Sequence, residues 1–175
     1  MSVSSRLPAV LLSACLVFHV LSVPSRAAAR TVEGTVTRVF DGDTLVLVTP
    51  EGTKLRVRLY GIDAPEVRHE KTPGQPFGKE ARDALKTLVL GRRVTVRIVD
   101  VDAHKRLVGI VHREGRDINL AMVREGYAWA YRRYLSSPYA SAYIDAERKA
   151  REEKLGLWIR DNPDPPWEFK RRDGH

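Results

Sequence analysis

Cysteine is almost absent from this sequence, and long apolar runs are scarce. The single cysteine, Cys15, lies within the first 29 residues, so a chain cleaved after Ala29 would contain no thiol. Such a chain has no disulfide, no cysteine nucleophile and no thiolate metal site. The sequence also has no internal repeat, and 175 residues with 43% hydrophobic content provide core for one domain rather than two.

The amino-terminal segment differs in composition from the rest of the chain. Arg6 precedes an apolar run from Leu7 to Val23, and Ala27 to Ala29 provide small residues for cleavage. This pattern predicts a signal peptide over residues 1–29 and export to the periplasm or the medium, with an uncleaved anchor as the alternative. The run ending at Cys15 resembles a lipoprotein box, but apolar residues continue beyond it, so ordinary cleavage is preferred. We expect no stable membrane span in the mature chain.

The charge balance favours an anionic partner. Lys and Arg total 30 against 22 Asp and Glu, which gives a formal net charge of +8. A basic protein attracts polyanions over long distances. Nucleic acid, anionic lipid and cell-wall polymer all satisfy this charge, so composition alone does not choose among them.

Alternating apolar and polar residues predict five short strands. They lie in two strands between Thr31 and Val48, then in residues 54–60, 94–99 and 107–112. Helical spacing predicts three helices, over residues 77–90, around 118–125 and over 140–154. This order favours an α+β domain over residues 30–160, built as a five-stranded Greek-key OB-fold barrel with three helices. Residues 161–175 are proline-rich and basic, and we interpret them as a loosely ordered, flexible tail.

Two acidic clusters flank the pair formed by the predicted second and third strands. Asp41-Gly42-Asp43 is by itself an ordinary turn sequence, and so is Asp63-Ala64-Pro65-Glu66. If the two clusters meet at the barrel rim, Asp43, Asp63 and the carbonyl of Ala64 could bind Ca²⁺, which takes about six to eight oxygen ligands, including water.

Two arginines could hold a phosphate beside such an ion. Guanidinium groups match phosphate oxygens with two hydrogen bonds, which makes Arg58 and Arg106 candidate phosphate ligands. The alternative for Arg58 is an exposed strand residue whose stem covers apolar neighbours.

These motifs, taken in order, resemble the staphylococcal nuclease (thermonuclease) family from about Val32 to Trp158. The resemblance rests on residues 39–44 (VFDGDT), 58–66 (RLYGIDAPE), 77–81 (FGKEA) and Arg106. It implies an OB barrel and a calcium-dependent phosphodiesterase, an endonuclease that cuts DNA and RNA. It also implies Asp43, Asp63 and the Ala64 carbonyl as metal ligands, and Arg58, Glu66 and Arg106 as catalytic residues.

The sequence departs from the family pattern at several positions. Ala64 stands where the family often has threonine, and Lys105 and His104 replace a glycine and a tyrosine before the second arginine. His104 could still stack on a base, or it could be an ordinary surface residue. Tyr134, in a segment that mixes aromatic and basic residues, is a second candidate for nucleotide binding.

Two functional classes therefore remain open. The first is an exported nuclease, expected to be a monomer with nucleic acid as substrate. The second is a non-catalytic OB-fold module that binds nucleic acid or another polyanion. The acidic residues and arginines favour the nuclease, because a binding module has no need of them.

Overall fold

The computed structural model describes residues 30–68 and 73–172. The expected signal peptide, with Cys15, lies outside the described residues, as do the last three residues of the chain. None of the described helices is both long and apolar enough to cross a membrane.

The described residues form eight strands and four α-helices. The strands are β1 (Thr31–Val39), β2 (Thr44–Val48), β3 (Lys54–Leu59), β4 (Ile62–Asp63), β5 (Arg93–Val101), β6 (Leu107–Arg113), β7 (Arg116–Asp117) and β8 (Trp129–Ala130). The helices are α1 (Gly78–Val89), α2 (Ile118–Arg124), α3 (Ala140–Glu152) and α4 (Pro166–Arg172).

Five of these strands close into a barrel. Their order is β3, β2, β1, β5, β6, and a parallel pairing between β3 and β6 joins the two ends, with Val57 opposite Leu107. Closure removes the free edges that an open sheet of this size would present. The five-stranded OB-fold barrel predicted from the sequence is therefore confirmed, with the short strand β7 added beside β6.

The register of the β2–β3 hairpin positions an arginine beside an aspartate. Val57 and Leu59 point into the core, which leaves Arg58 on the opposite face of β3. In the antiparallel pairing Arg58 lies opposite Thr44, and the Leu59 N–H donates to the carbonyl oxygen of Asp43 at 2.8 Å. The alternation that buries the barrel core thus also brings Arg58 to the start of β2.

The buried side of each helix follows its apolar spacing. In α1, Ala81, Leu85 and Val89 recur every four residues and are fully buried against the barrel. Asp117 caps the start of helix α2, because its carboxylate accepts a hydrogen bond from the Leu120 N–H at 2.9 Å. The predicted helices over these segments and over α3 are all present.

Asn119 ties α2 to the closed barrel. Its amide nitrogen donates to the carbonyl oxygens of Tyr60 and Gly109, at 3.0 and 3.1 Å, and its amide oxygen accepts from the Val111 N–H at 3.0 Å. The side chain is completely buried, so every one of these hydrogen bonds is shielded from water. The network fixes the junction at which β3 leaves the barrel.

The fourth helix was not predicted. The composition of residues 161–175 indicates a loosely ordered tail, but Pro166–Arg172 form α4. Trp167 stacks on Tyr131 with ring centroids 5.0 Å apart and planes 5° apart, and it meets the edge of Trp129 at 5.5 Å. Burial of an aromatic ring is a large favourable contribution. These contacts outweigh the polar, proline-rich composition from which the tail was inferred.

Candidate active site

Two aspartates from different turns converge on Arg58. Nη2 of Arg58 lies 2.7 Å from Oδ1 of Asp63, and Nη1 forms an ion pair with Oδ1 of Asp43. Only 3% of Asp43 and 1% of Asp63 is exposed to solvent. Burying two carboxylates is costly unless cations and hydrogen bonds compensate them, and Arg58 provides that compensation.

Asp63 reaches this position because its strand pairs with a distant segment. Strand β4 pairs antiparallel with β8, so that Asp63 lies opposite Trp129. The carbonyl oxygen of Ile62 is 3.4 Å from Nη2 of Arg58. Asp63 is therefore held both by its backbone partner and by the guanidinium group.

Asp43 is held by a set of short hydrogen bonds. Its Oδ2 accepts from the Ala64 N–H at 2.9 Å, and its Oδ1 accepts from the Thr44 hydroxyl at 2.9 Å. The Asp43 N–H in turn donates to Oδ1 of Asp41 at 2.9 Å. Burial raises the pKa of Asp41 above the ordinary value for an aspartate, although the charge of Arg58 works in the opposite direction.

The segment that carries Glu66 is fixed by Gln75. The Glu66 N–H donates to Oε1 of Gln75 at 3.0 Å, and the Gln75 N–H donates to the Glu66 carbonyl oxygen at 2.9 Å. The side-chain amide of Gln75 also donates to the Asp164 carbonyl oxygen at 3.2 Å. Gly78 packs so closely beneath this segment that a Cβ there would overlap the Glu66 carbonyl oxygen.

Arg106 lies in a turn that forms although Lys105 occupies the position where the family pattern has glycine. Lys105 adopts the left-handed φ of 58° that a glycine would take without strain. Asp102 accepts from the backbone N–H groups of His104 and Arg106 at 2.9 and 3.0 Å, and from Nε of Arg106 at 2.7 Å. Desolvation works to raise the pKa of Asp102, but the hydrogen bonds from Arg106 hold it below the ordinary value.

One open cleft connects most of the residues singled out in the sequence. Its volume is about 830 Å³. Its lining includes Arg58, Asp63, His104, Arg106, Tyr131, Tyr134, Trp167 and Lys170. Tyr134 is 57% exposed, which leaves its ring open to a ligand, whereas Trp129 is buried and packs against Trp158. The arginines thus face a shared space large enough for nucleotide units.

The site contains a cation, Lys170, that the sequence motifs do not predict. Nζ of Lys170, on α4, lies 2.9 Å from Oδ1 of Asp63 and 2.8 Å from Oε1 of Glu66. Burial by itself would lower the pKa of Lys170, but the two carboxylates outweigh it and the pKa lies above the ordinary lysine value. Glu66 is thereby connected to the pair of buried aspartates.

A sequence signal for this helix did exist. Proline is favoured in the first turn of a helix, and Pro165 and Pro166 directly precede Trp167 and the basic run from Lys170. A basic last turn also suits the negative end of the helix dipole. Those two features together predict a short helix, but they do not predict where it docks.

The oxygen donors suit a hard divalent cation such as Ca²⁺. Asp43 and Asp63 are two buried carboxylates already compensated by cations, and no soft donor lies among them. Across residues 30–68 and 73–172, no group of three acidic, histidine or cysteine side chains forms a metal cage. An ion here would therefore need backbone carbonyl, water or substrate oxygens to complete its ligands.

The closed barrel and its carboxylate–arginine site agree with the relatives that this chain matches. The profile of the Staphylococcal nuclease homologue family matches residues 56–160. The chain is 38% identical to a micrococcal nuclease of Shigella flexneri, with 95% of each chain covered. It is 34% identical to an uncharacterized endonuclease of Haemophilus influenzae, over 94% of this chain and 85% of the relative. It is also 37% identical to protein ParB of Escherichia coli, over 94% of this chain and 93% of the relative.

The chain therefore belongs to the staphylococcal nuclease family, as its motifs predicted.

Proposed function

We propose that this chain is an exported, calcium-dependent nuclease that hydrolyses phosphodiester bonds in DNA, RNA or both. The observation that carries the proposal is the convergence of Asp43 and Asp63 on Arg58, at the wall of a cleft that also contains Arg106. Oxygen ligands for a divalent cation and guanidinium groups for a phosphate then share one space. The micrococcal nuclease and the endonucleases among the relatives support the same activity.

The residues divide into two groups. Asp43, Asp63 and the carbonyl oxygen of Ala64 are proposed to hold Ca²⁺. The bound ion would supply positive charge to neutralise the attacked phosphate. Arg58 and Arg106 are proposed to bind the phosphate oxygens and to stabilise the negative charge that develops on them. Arg106 also assists the departing oxygen.

Glu66 is proposed to orient the attacking water and to accept its proton. A base must lie within hydrogen-bond reach of the water that it activates. Gln75 fixes the backbone of Glu66 from both sides, so that the carboxylate starts from a defined position. His104 and Tyr134 line the same cleft, and we propose that their rings contact the nucleotide bases.

Activity in calcium and in chelator tests this proposal. Purified protein is incubated with supercoiled plasmid and with RNA, first in excess Ca²⁺ and then in excess chelator. Cutting in calcium alone supports the nuclease. Binding without cutting in both conditions would contradict it and would favour the alternative, a non-catalytic OB-fold module for nucleic acid or another polyanion.

Export rests on sequence features alone. We propose that residues 1–29 direct secretion and are removed after Ala29, without lipidation of Cys15, and that the product is a monomer. Mass spectrometry of the protein recovered from the periplasm and the medium tests the cleavage site. A product that begins at Cys15 with an added lipid mass would show lipidation, and an intact amino terminus would show an anchor.

A further inference from the structure

The α4 helix brings a positive charge into the proposed metal site. Lys170 donates to Asp63 at 2.9 Å and forms an ion pair with Glu66 at 2.8 Å, although it lies more than 100 residues away from either in sequence. Both carboxylates have proposed roles in catalysis. The oxygen atoms that would face Ca²⁺ and the attacking water therefore already face an ammonium group.

The position of this ammonium group does not depend on its ion pairs alone. Trp167, one helical turn earlier, stacks on Tyr131 and meets the edge of Trp129. At the other end of the helix, Arg172 forms an ion pair with Asp164 at 2.8 Å. Aromatic packing therefore keeps α4 docked and holds Lys170 close to the carboxylates.

We propose that Lys170 is an internal cation that pairs with Asp63 and Glu66 in the metal-free protein, and that Ca²⁺ must displace it to bind. This inference rests on the proposed calcium-dependent function. A lysine ammonium is a compact charge on a flexible stem, so displacement needs only rotation about side-chain bonds while α4 stays docked. Lys170 also lines the cleft, which gives the displaced ammonium an open space to enter.

The competition lowers the affinity of the protein for calcium. A ligand that binds only the fraction of molecules with a free site has its apparent affinity reduced by that fraction. Removing the competing charge should therefore tighten calcium binding. It should also lower the melting temperature in chelator, because Asp63 and Glu66 lose a partner.

Calorimetric titration of calcium into chelator-treated protein tests this inference. Lys170→Met should bind Ca²⁺ about tenfold more tightly than the unmodified chain, if the ammonium occupies the site in about nine of ten molecules. Lys170→Gln provides a second neutral variant if the methionine variant fails to fold. Lys149→Met removes one exposed lysine from α3 and should leave the affinity unchanged.

Thermal unfolding with and without Ca²⁺ shows whether the effect of the substitution comes from the lost charge or from altered packing. The rise in melting temperature on adding Ca²⁺ should be larger for Lys170→Met than for the unmodified chain, and the tryptophan fluorescence of the two should match. Equal or weaker calcium binding by both neutral variants would overturn the inference and leave the nuclease proposal standing. If neither the unmodified chain nor any of its variants binds calcium, this inference and the proposed calcium dependence both fail. The cleavage assay tests the calcium dependence separately.

Discussion

Arg58 donates a 2.7 Å hydrogen bond to Asp63 through Nη2, while its other terminal nitrogen is paired with Asp43. One guanidinium group therefore links the turn before β2 to strand β4. The same group lines the cleft, where it can reach a phosphate. Arg58 thus has a structural role in compensating buried charge and a proposed catalytic role.

Replacing Arg58 should separate these two roles. In chelator, Arg58→Ala should lower the free energy of unfolding by about 3 kcal/mol, because it leaves two buried carboxylates without their shared partner. Cleavage in Ca²⁺ should fall at least about a hundredfold. Denaturant unfolding and a nuclease assay measure the two effects.

Arg56→Ala is the matched control. Arg56 is an exposed residue on the same strand, and its guanidinium group lies over the Phe40 ring. Its effect on stability should stay below about 1 kcal/mol, with little change in cleavage. Unaltered turnover in Arg58→Ala would remove this arginine from the mechanism.

Glu66→Gln tests the proposed base with almost no change of shape. The amide cannot accept the proton of the attacking water at neutral pH, so turnover should fall at least about a hundredfold. Substrate affinity should change little. Single-turnover cleavage at saturating Ca²⁺ measures the rate, and Glu80→Gln, on the exposed side of α1, provides the control. A rate near that of the unmodified chain would rule out Glu66 as the base.

The Asp102–Arg106 pair predicts a pH-dependent contribution to stability. The pKa of Asp102 is held below its ordinary value in the folded protein, so the folded state favours the carboxylate. Its contribution is fully present above the unfolded pKa of about 3.9 and disappears as the pH falls through the lower folded pKa. Asp102→Asn should therefore cost about 1 to 2 kcal/mol at pH 7.

Chemical unfolding of both proteins between pH 7 and pH 2.5 measures this difference. The two curves should be separated by a constant amount down to about pH 5 and should converge at the acid end. A difference that persists below the folded pKa would mean that shape, rather than the charge of Asp102, holds the turn.

Gly78 should tolerate no side chain. A Cβ at this position would overlap the carbonyl oxygen of Glu66, so Gly78→Ala must move either α1 or the Glu66 segment. Overpacking of this kind costs about 1 to 3 kcal/mol. The melting temperature and the cleavage rate should both fall. Lys79→Ala, at the next and exposed position of α1, should leave both unchanged.

The barrel could be predicted from the sequence because apolar and polar residues alternate regularly along its strands. Residues 54–59 place apolar side chains inward and arginines outward, and the structure keeps this arrangement. Helix α1 was equally clear from its apolar spacing. The aspartate and arginine motifs identified the family, and the β2–β3 register explains why Asp43 and Arg58 meet.

The docking of side chains through long-range contacts could not be predicted. Helix α4 is docked by Trp167 against Tyr131 and Trp129, and no local pattern encodes such a long-range contact. Lys170 looks in sequence like part of a solvated basic run. Likewise, nothing in the sequence around Gln75 indicates that its side chain fixes the backbone of Glu66.

Calcium binding by Asp63→Asn tests the central claim most directly, because Asp63 contacts both Arg58 and Lys170. Calorimetry of the unmodified chain should show one Ca²⁺ bound per molecule. Asp63→Asn should weaken that binding by about tenfold or more, since it removes a charged ligand. Asp161→Asn, an exposed aspartate, should have no effect. Equal calcium affinity in Asp63→Asn and the unmodified chain would contradict the metal site on which the nuclease proposal depends.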